Sequence, residues 1–342
     1  MNKKIIYTAI AIIFLIGGII GFNFYQKIFS KAVTKNGAIY IKSDDTFDDL
    51  KKQLANYLNT PDDFIWVAKK KKFTKPKGGK YILKKGMSLN DMVNLLRSGN
   101  QTPIKLSFNN QDSLEKLAGR IAQQIETDSI SLIKVMKDEG FLAKNSFNQK
   151  NALGMYIPNS YEFYWNTSAE TFRTKMLREY NRFWNSSRLE KAKKLNLSKK
   201  EVITLASIVQ KETAKKSERP IVAGLYLNRL RDSWPLQADP TVIYAIKQLK
   251  GQDFIVKRVL NKDLKIKSPY NTYQNTGLPP SLIAMPDVSS IDAVLNYKKH
   301  NYYYMCASVD KIGFHDFANS LAQHNRNAAK YQRWITQRGI NR

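Results

Sequence analysis

The segment LASIVQKETAKKSER, residues 205–219, puts Leu205, Ile208 and Val209 at the i, i+3, i+4 spacing of an inward-facing helix surface. The next inward position holds Glu212. A carboxylate at the end of an apolar stripe has two readings. It is a helix end rising into solvent, or a carboxyl group set among apolar side chains. In the second case burial disfavours the charged form, so the group keeps its proton near neutral pH and can deliver it to a reacting oxygen. Further polar groups follow inside apolar or tightly turning segments. LYLNRL sets Asn228 and Arg229 on a helix among leucines, and LQADPTVIY sets Gln237, Asp239 and Thr241 about a proline-containing turn, with Tyr244 one helical turn on. YNTYQNTGLPPSLIAMP adds Asn271 and Tyr273 in a loop stiffened by Gly277, Pro279 and Pro280. Singly, each has a structural explanation; Asp239 before Pro240, for instance, reads as a turn or helix cap. Jointly they describe a cleft lined by amides, hydroxyls and aromatic faces, which suits sugar hydroxyls and N-acetyl groups.

The same residues argue against other chemistries. There is no phosphate-binding glycine loop and no G-x-S-x-G elbow. His300, His315 and His324 lack metal-ligand spacing, and Cys306 is the only cysteine, which excludes an intrachain disulfide and a multi-cysteine metal site. No metal and no cofactor is expected.

These residues must be carried by elements that the rest of the chain specifies. From residue 199 the pattern is mixed: helices near 199–214 and 218–231, loops rich in proline and asparagine, and a strand-like NYYYMCASV at 301–309. Residues 113–199 read as mainly helical, interrupted by the aromatic turn YIPNSYEFYWNTS at 156–168. In the first third a strand, a turn and a helix opened by a Ser or Thr cap recur, in IYIKSDDTFDDLKKQL, YILKKGMSLNDMVNLL and IKLSFNNQDSLEKLAGRI. The first two copies resemble half of a LysM module, the small carbohydrate-binding fold of cell-wall proteins. Between them KKKKFTKPKGGK, residues 69–80, reads as a solvated basic loop with lipid head groups or an acidic wall polymer as the alternative contact.

At the N-terminus IIYTAIAIIFLIGGIIGF, residues 5–22, carries no charge. It is long enough, with Asn23 to Tyr25, to cross a bilayer. The apolar core of a cleaved signal peptide would be shorter and end in a small-residue site. Lys3 and Lys4 predict a cytoplasmic N-terminus by the positive-inside rule, so the remainder is expected outside the cytoplasm. The length of 342 residues predicts more than one domain, and 43% hydrophobic residues suffice for real cores. The net charge of +28 comes mainly from scattered lysines without an arginine-rich block. Nucleic acid is therefore not the expected partner, although anionic lipid or an acidic polymer would suit the charge.

The ordered motifs LASIVQKET, SER, VAGLYLNRL, LQADPTVIYAI, YNTYQNTGLPPSLIAMP, GFHDF and HN closely resemble the YceG-like family, the endolytic murein transglycosylases. The resemblance runs from about Tyr156 to Asn325, and GKYILKKGMSLNDMVNLLRSGN resembles the family's LysM-like subdomain. It implies an α+β fold with an N-terminal transmembrane helix, a small LysM-like α/β subdomain and a larger mixed α+β catalytic domain. The expected boundaries are 1–25 for the cytoplasmic stub and anchor, 36–103 for the LysM-like part, and 104–340 for the catalytic domain with a helical insertion at about 113–199.

The family's catalytic acid falls on Glu212. Many members carry a second glutamate where this chain has Gln210, which leaves Glu212 alone in the motif. The implied reaction cuts the β-1,4 bond between N-acetylmuramic acid and N-acetylglucosamine inside a nascent strand, leaving 1,6-anhydro ends and terminating elongation. Asn228, Arg229, Gln237, Asp239, Thr241, Tyr244, Asn271 and Tyr273 are the expected substrate-binding residues. Gln237 and Asn271 would hold amides, Tyr244 and Tyr273 would stack on sugars, and Arg229 would pair with Asp239 or a substrate carboxylate. Glycan strands, the inner membrane and a peptidoglycan synthase are the expected partners. A hydrolytic muramidase using Glu212 with Asp239, and an anchored wall-binding scaffold, are the rival readings.

Overall fold

The computed structural model describes residues 3–338. The first two residues of the expected cytoplasmic stub and residues 339–340 of the expected catalytic domain lie outside the described residues. The class is α+β, with three two-stranded sheets among the described residues. Two compact units account for the chain.

The first unit spans residues 1–106 with two later returns, 122–128 and 160–168. It opens with α1 (Lys3–Phe29), an unbroken apolar helix with no buried residue and long enough to cross a membrane. Its last turns are engaged: Ile28 packs on the unit's core, Phe24 stacks on Trp66 at 5.4 Å, and Lys27 pairs with Asp63 at 2.5 Å. Then follow β1 (Gly37–Ile41), α2 (Phe47–Leu54), α3 (Pro61–Lys70), β2 (Gly79–Leu83) and α4 (Leu89–Ser98). β1 and β2 are antiparallel with Ile39 opposite Tyr81. Their alternate side chains Ile39, Ile41, Tyr81 and Leu83 are buried with Leu50, Leu54, Phe64 and Met92 from the helices. Each fully buried aliphatic or aromatic chain contributes about 1.5–3 kcal/mol. Thr46 caps α2 in a reciprocal box with Asp49, and Ser88 caps α4 through the Asp91 N–H.

The returns do not follow the expected boundary at 103/104. Glu126 accepts hydrogen bonds from Ser43 N and Oγ, Asn166 Nδ2 donates to Gly78 O, and Trp165 sits edge-on to Tyr40. These segments supply the polar and aromatic partners that the edge of the small β1–β2 sheet lacks.

The second unit comprises 107–121, 129–159 and 169–342. The chain passes from one unit to the other within the strands β3 (Ile104–Phe108) and β4 (Asn159–Phe163). Short helices α5 (Leu114–Ala122), α6 (Ser129–Met136) and α7 (Glu139–Lys144) precede the longer α8 (Ala169–Phe183) and α9 (Ser186–Lys194). The centre is α10 (Lys199–Glu212), buried continuously from Val202 to Val209. It packs against α11 (Arg219–Arg231), α12 (Asp239–Lys250) and α13 (Val288–Leu295). A capping box of Ser198 and Glu201 starts α10, and losing it by Ser198→Ala would cost about 1 kcal/mol. The hairpin of β5 (Tyr304–Ala307) and β6 (His315–Ala318) and the helix α14 (Leu321–Gln337) complete the unit. At Gly224 a Cβ would collide with Lys298 O and the His300 ring, so glycine lets the 298–302 segment lie directly on α11.

Candidate active site

α10 ends on Glu212 because Thr213 turns to extended backbone. That stop leaves the Glu212 carboxyl at the helix end, half-buried, behind the fully buried Leu205, Ile208 and Val209. It lines a cavity of about 210 Å³ together with Tyr226 and Arg229 from α11, Gln237 and Asp239 at the start of α12, Tyr273, and Cys306 and His315 from the β5–β6 hairpin. Tyr226, itself buried, donates its Oη hydrogen to Glu212 Oε1 at 2.6 Å.

Burial pushes the Glu212 pKa up to about 7. The Tyr226 hydrogen bond, the His315 charge and the Arg229 charge pull against that rise, and the Asp239 charge adds to it. Loss of water is the dominant cause, as for any carboxylate removed from solvent without a tight cationic partner. Glu212 is thus poised to be protonated or ionised near neutral pH.

Glu218, six residues on, behaves oppositely. It is 3% exposed. Its Oε1 accepts the His315 backbone N–H at 2.7 Å, and its Oε2 lies 2.9 Å from His315 Nδ1. Burial would raise the carboxyl, but these bonds hold it below its ordinary value. Burial would lower His315, but the Glu218 bond and charge raise it above the ordinary histidine value. With Nδ1 engaged, the remaining ring nitrogen of His315 is the one left for the cavity.

The start of α12 is fixed by a buried hydroxyl pair. Thr241 Oγ1 donates to Ala238 O at 2.7 Å and stands 2.8 Å from Thr272 Oγ1, which accepts the Ala238 N–H. This stitches the 270–275 loop to the helix and brings Tyr273 Oη to within 2.7 Å of Asp239 Oδ1, to which it donates. Gln237 adopts φ +50, a left-handed conformation that costs a non-glycine residue, and Thr272 O accepts its N–H.

Of the expected binding residues, the structure brings Arg229, Gln237, Asp239 and Tyr273 around the Glu212 cavity. The expected Arg229–Asp239 pair does not form. Arg229 donates from Nε to Tyr303 O at 2.8 Å and from Nη1 to Leu236 O at 2.6 Å, tying β5 to the α12 turn. Asn228 spends both amide hydrogens on His300 O and Tyr302 O. Asn271 spends its own on Leu264 O and Ile266 O. Thr241 is fully buried, and Tyr244 lines a neighbouring groove with its ring 4.7 Å from Tyr270. These four do not line the Glu212 cavity. Gln210 faces away as well; its Oε1 accepts from Asp287 N and Ser290 Oγ at the start of α13.

Sequence reasoning did not single out Tyr226, Glu218 or His315. A tyrosine in GLYLNRL reads as core, and the Glu218–His315 pair spans 97 residues. The one available signal was the lone histidine of GFHDF in a strand-like segment. Among the described residues no three His, Cys, Asp or Glu side chains gather as a metal site requires.

Comparison with known proteins finds relatives of the chain. The model of the YceG-like family matches residues 39–330. An endolytic murein transglycosylase of Bacillus subtilis (strain 168) is 34% identical over 269 residues, covering 74% of this chain and 72% of the relative. One from Streptococcus pneumoniae serotype 2 is 30% identical over 295 residues, 78% of this chain, which spans about half (53%) of that longer relative. The crystal structure of a yceG-like protein from Listeria monocytogenes superposes with a TM-score of 0.57 at 28% identity, over 85% of this chain and 98% of that one.

Proposed function

The chain belongs to the YceG-like family, and from that premise we propose that it is a peptidoglycan lytic transglycosylase whose proton donor is Glu212. The observation that carries the reading is one carboxyl group held near pKa 7 on the wall of a cavity, with a phenol bound to it. A carboxyl with that pKa can serve as acid and then base at neutral pH. Protonated Glu212 gives its proton to the glycosidic oxygen as the C1–O bond of the muramyl residue breaks. The sugar's own 2-acetamido oxygen shields the positive anomeric carbon. The Glu212 carboxylate, now stabilised by Tyr226 and by the His315 and Arg229 charges, takes the proton of the muramyl 6-hydroxyl as O6 bonds to C1. The products are a 1,6-anhydro end and a free 4-hydroxyl; no water is consumed.

Gln237, Tyr273 and Asp239 are the candidates to orient the two sugars. Asp239 also supports the rival reading, because it lines the same cavity and a hydrolase uses two carboxylates. α1 is read as an uncleaved anchor with its N-terminal end in the cytoplasm and the remainder of the chain outside the inner membrane. The first unit is read as a LysM-like holder of the strand. Both suit cutting within nascent glycan, ending elongation beside a peptidoglycan synthase.

The test is digestion of purified strands by the full-length protein in detergent, with mass spectrometry of the products. Internal fragments ending in anhydro-muramic acid are expected, absent with Glu212→Gln. Reducing ends would mean that water attacks. Asp239→Asn should fold and lose less than tenfold in rate; a loss equal to that of Glu212→Gln would make Asp239 a second catalytic carboxylate. No cleavage by the unaltered chain, with strand binding retained, would favour the scaffold.

A further inference from the structure

α12 joins the active-site cavity to a second, larger one. Asp239 at its N-terminus lines the Glu212 cavity, whereas Pro240, Ile243, Tyr244, Lys247 and Gln248 recur at helical spacing along one side. That side walls two openings of about 280 and 110 Å³ that share Asp112, Tyr244, Gln252 and Ile283, and so form one groove. Lys211 lines the groove while its neighbour Glu212 lines the active-site cavity. The groove therefore borders the Glu212 cavity through consecutive residues of α10 and of α12.

Its chemistry differs from that of the Glu212 cavity. The apolar lining is Leu153, Leu282 and Ile283, with the Tyr244 ring tilted against Tyr270. The amides of Gln248 and Gln252 make no hydrogen bond within the described residues. Four lysines line it against two carboxylates. Lys137 pairs with Glu115 at 2.6 Å and Lys211 with Asp112 at 2.7 Å. Lys150 and Lys247 have no carboxylate within ion-pair distance among the described residues. Free amides that both donate and accept, surplus ammonium groups and an aliphatic lining match a short acidic peptide. On a peptide-bearing muramyl residue the lactyl carboxyl is consumed in an amide, so the carboxylates offered to the lysines are those of the peptide.

On the reading of the chain as a peptidoglycan transglycosylase, we infer that this groove binds the acidic stem peptide of the strand being cut. Peptide carboxylates sit at Lys150 and Lys247, peptide amides at Gln248 and Gln252, and small side chains lie on Leu282 and Ile283. The groove thus selects peptide-bearing over naked glycan.

The experiment measures binding first, so that it stands apart from cleavage. A fluorescently labelled muramyl peptide without a glycosidic bond is titrated into the full-length protein in detergent. Saturable binding is expected, weakened roughly three- to tenfold by the double variant Lys150→Gln/Lys247→Gln and by amidating the peptide carboxylates, as for two partly exposed charge contacts. Both lysines lie outside the catalytic cavity, and the lactyl carboxylate that amidase frees stays on the sugar, so cleavage of amidase-stripped strands should be equal for parent and variant, while KM for peptide-bearing strands rises only in the variant. Absence of binding, or binding indifferent to both changes, overturns the inference. Binding as expected without cleavage would sink the transglycosylase reading and leave the peptide site standing.

Discussion

Glu212 and Glu218 stand six residues apart at the two ends of one turn, both drawn out of bulk water, and their carboxyl groups are driven in opposite directions. Burial raises both. Glu212 meets a phenol, a neutral donor, and stays near neutral pH. Glu218 meets the backbone N–H and Nδ1 of His315 and is held ionised. Desolvation alone thus does not make an acid catalyst; what the carboxylate is offered in exchange for water decides its role. Glu218 in turn favours the positive form of His315, whose charge acts on Glu212.

The contrast can be broken most sharply at Glu212. Glu212→Gln keeps the shape and removes the transferable proton, so the rate should fall roughly 10²–10⁴-fold. The same change has a stability signature of definite sign. Native Glu212 holds its proton up to about pH 7, whereas an unfolded glutamate loses it near 4.5. Its penalty to the fold therefore grows between those values and is constant above them. By thermal unfolding at pH 8 the variant should be more stable by roughly 1–3 kcal/mol, after allowance for the solvent its carboxyl still meets, and unchanged at pH 4. A variant less stable at pH 8 would refute the raised pKa.

Glu218→Gln should cost stability rather than provide it, by roughly 1–3 kcal/mol. The Glu218 contribution is present above its unfolded value of 4.5, and that of His315 is present below its unfolded value of 6.5 and lost as pH rises through the raised native value. The loss should be full between those two values. With His315 less charged, Glu212 should titrate higher and the alkaline limb of the rate profile should move up. An unmoved limb would mean that the pair serves the fold alone. Tyr226→Phe should also move the limb up, with a rate loss of up to about tenfold from one hydrogen bond, yet with no stability loss peculiar to pH 4.5–6.5. Gln210→Glu is expected to do least, within about 0.5 kcal/mol and with no shift of the limb. A carboxylate there still accepts from Asp287 N and Ser290 Oγ, and it faces away from the cavity. A shifted limb would show that position 210 reaches the site after all.

The proton donor was legible because an apolar stripe broke at one position. The same kind of signal, a polar residue in apolar surroundings, also flagged Asn228, Thr241 and Asn271, and the structure turns all three onto the protein's own backbone or a neighbouring hydroxyl. A buried polar side chain satisfies either a ligand or a carbonyl, and spacing does not distinguish the two. Glu218 and His315 were illegible for the opposite reason: neither breaks a local pattern, and their pairing exists only once β6 folds beside α11. In the fold, the periodic elements α10, α11 and β5 were readable from their hydrophobic spacing. The returns at 122–128 and 160–168 were not, because they are held by contacts between residues far apart in sequence, such as Glu126 with Ser43 and Trp165 with Tyr40.

The stacking of Phe24 on Trp66 and the packing of Ile28 mean that α1 enters the first unit as one continuous rod. A flexible tether is indifferent to one residue more or less. A rod carries phase: each residue inserted before Phe24 turns what lies beyond it by about 100° about the helix axis and moves it about 1.5 Å along it. The length of the apolar segment therefore also sets an azimuth, the direction in which its far end faces relative to the first unit. Among variants of this segment, insertions of three or four residues, close to a whole turn, should be tolerated where insertions of two are not.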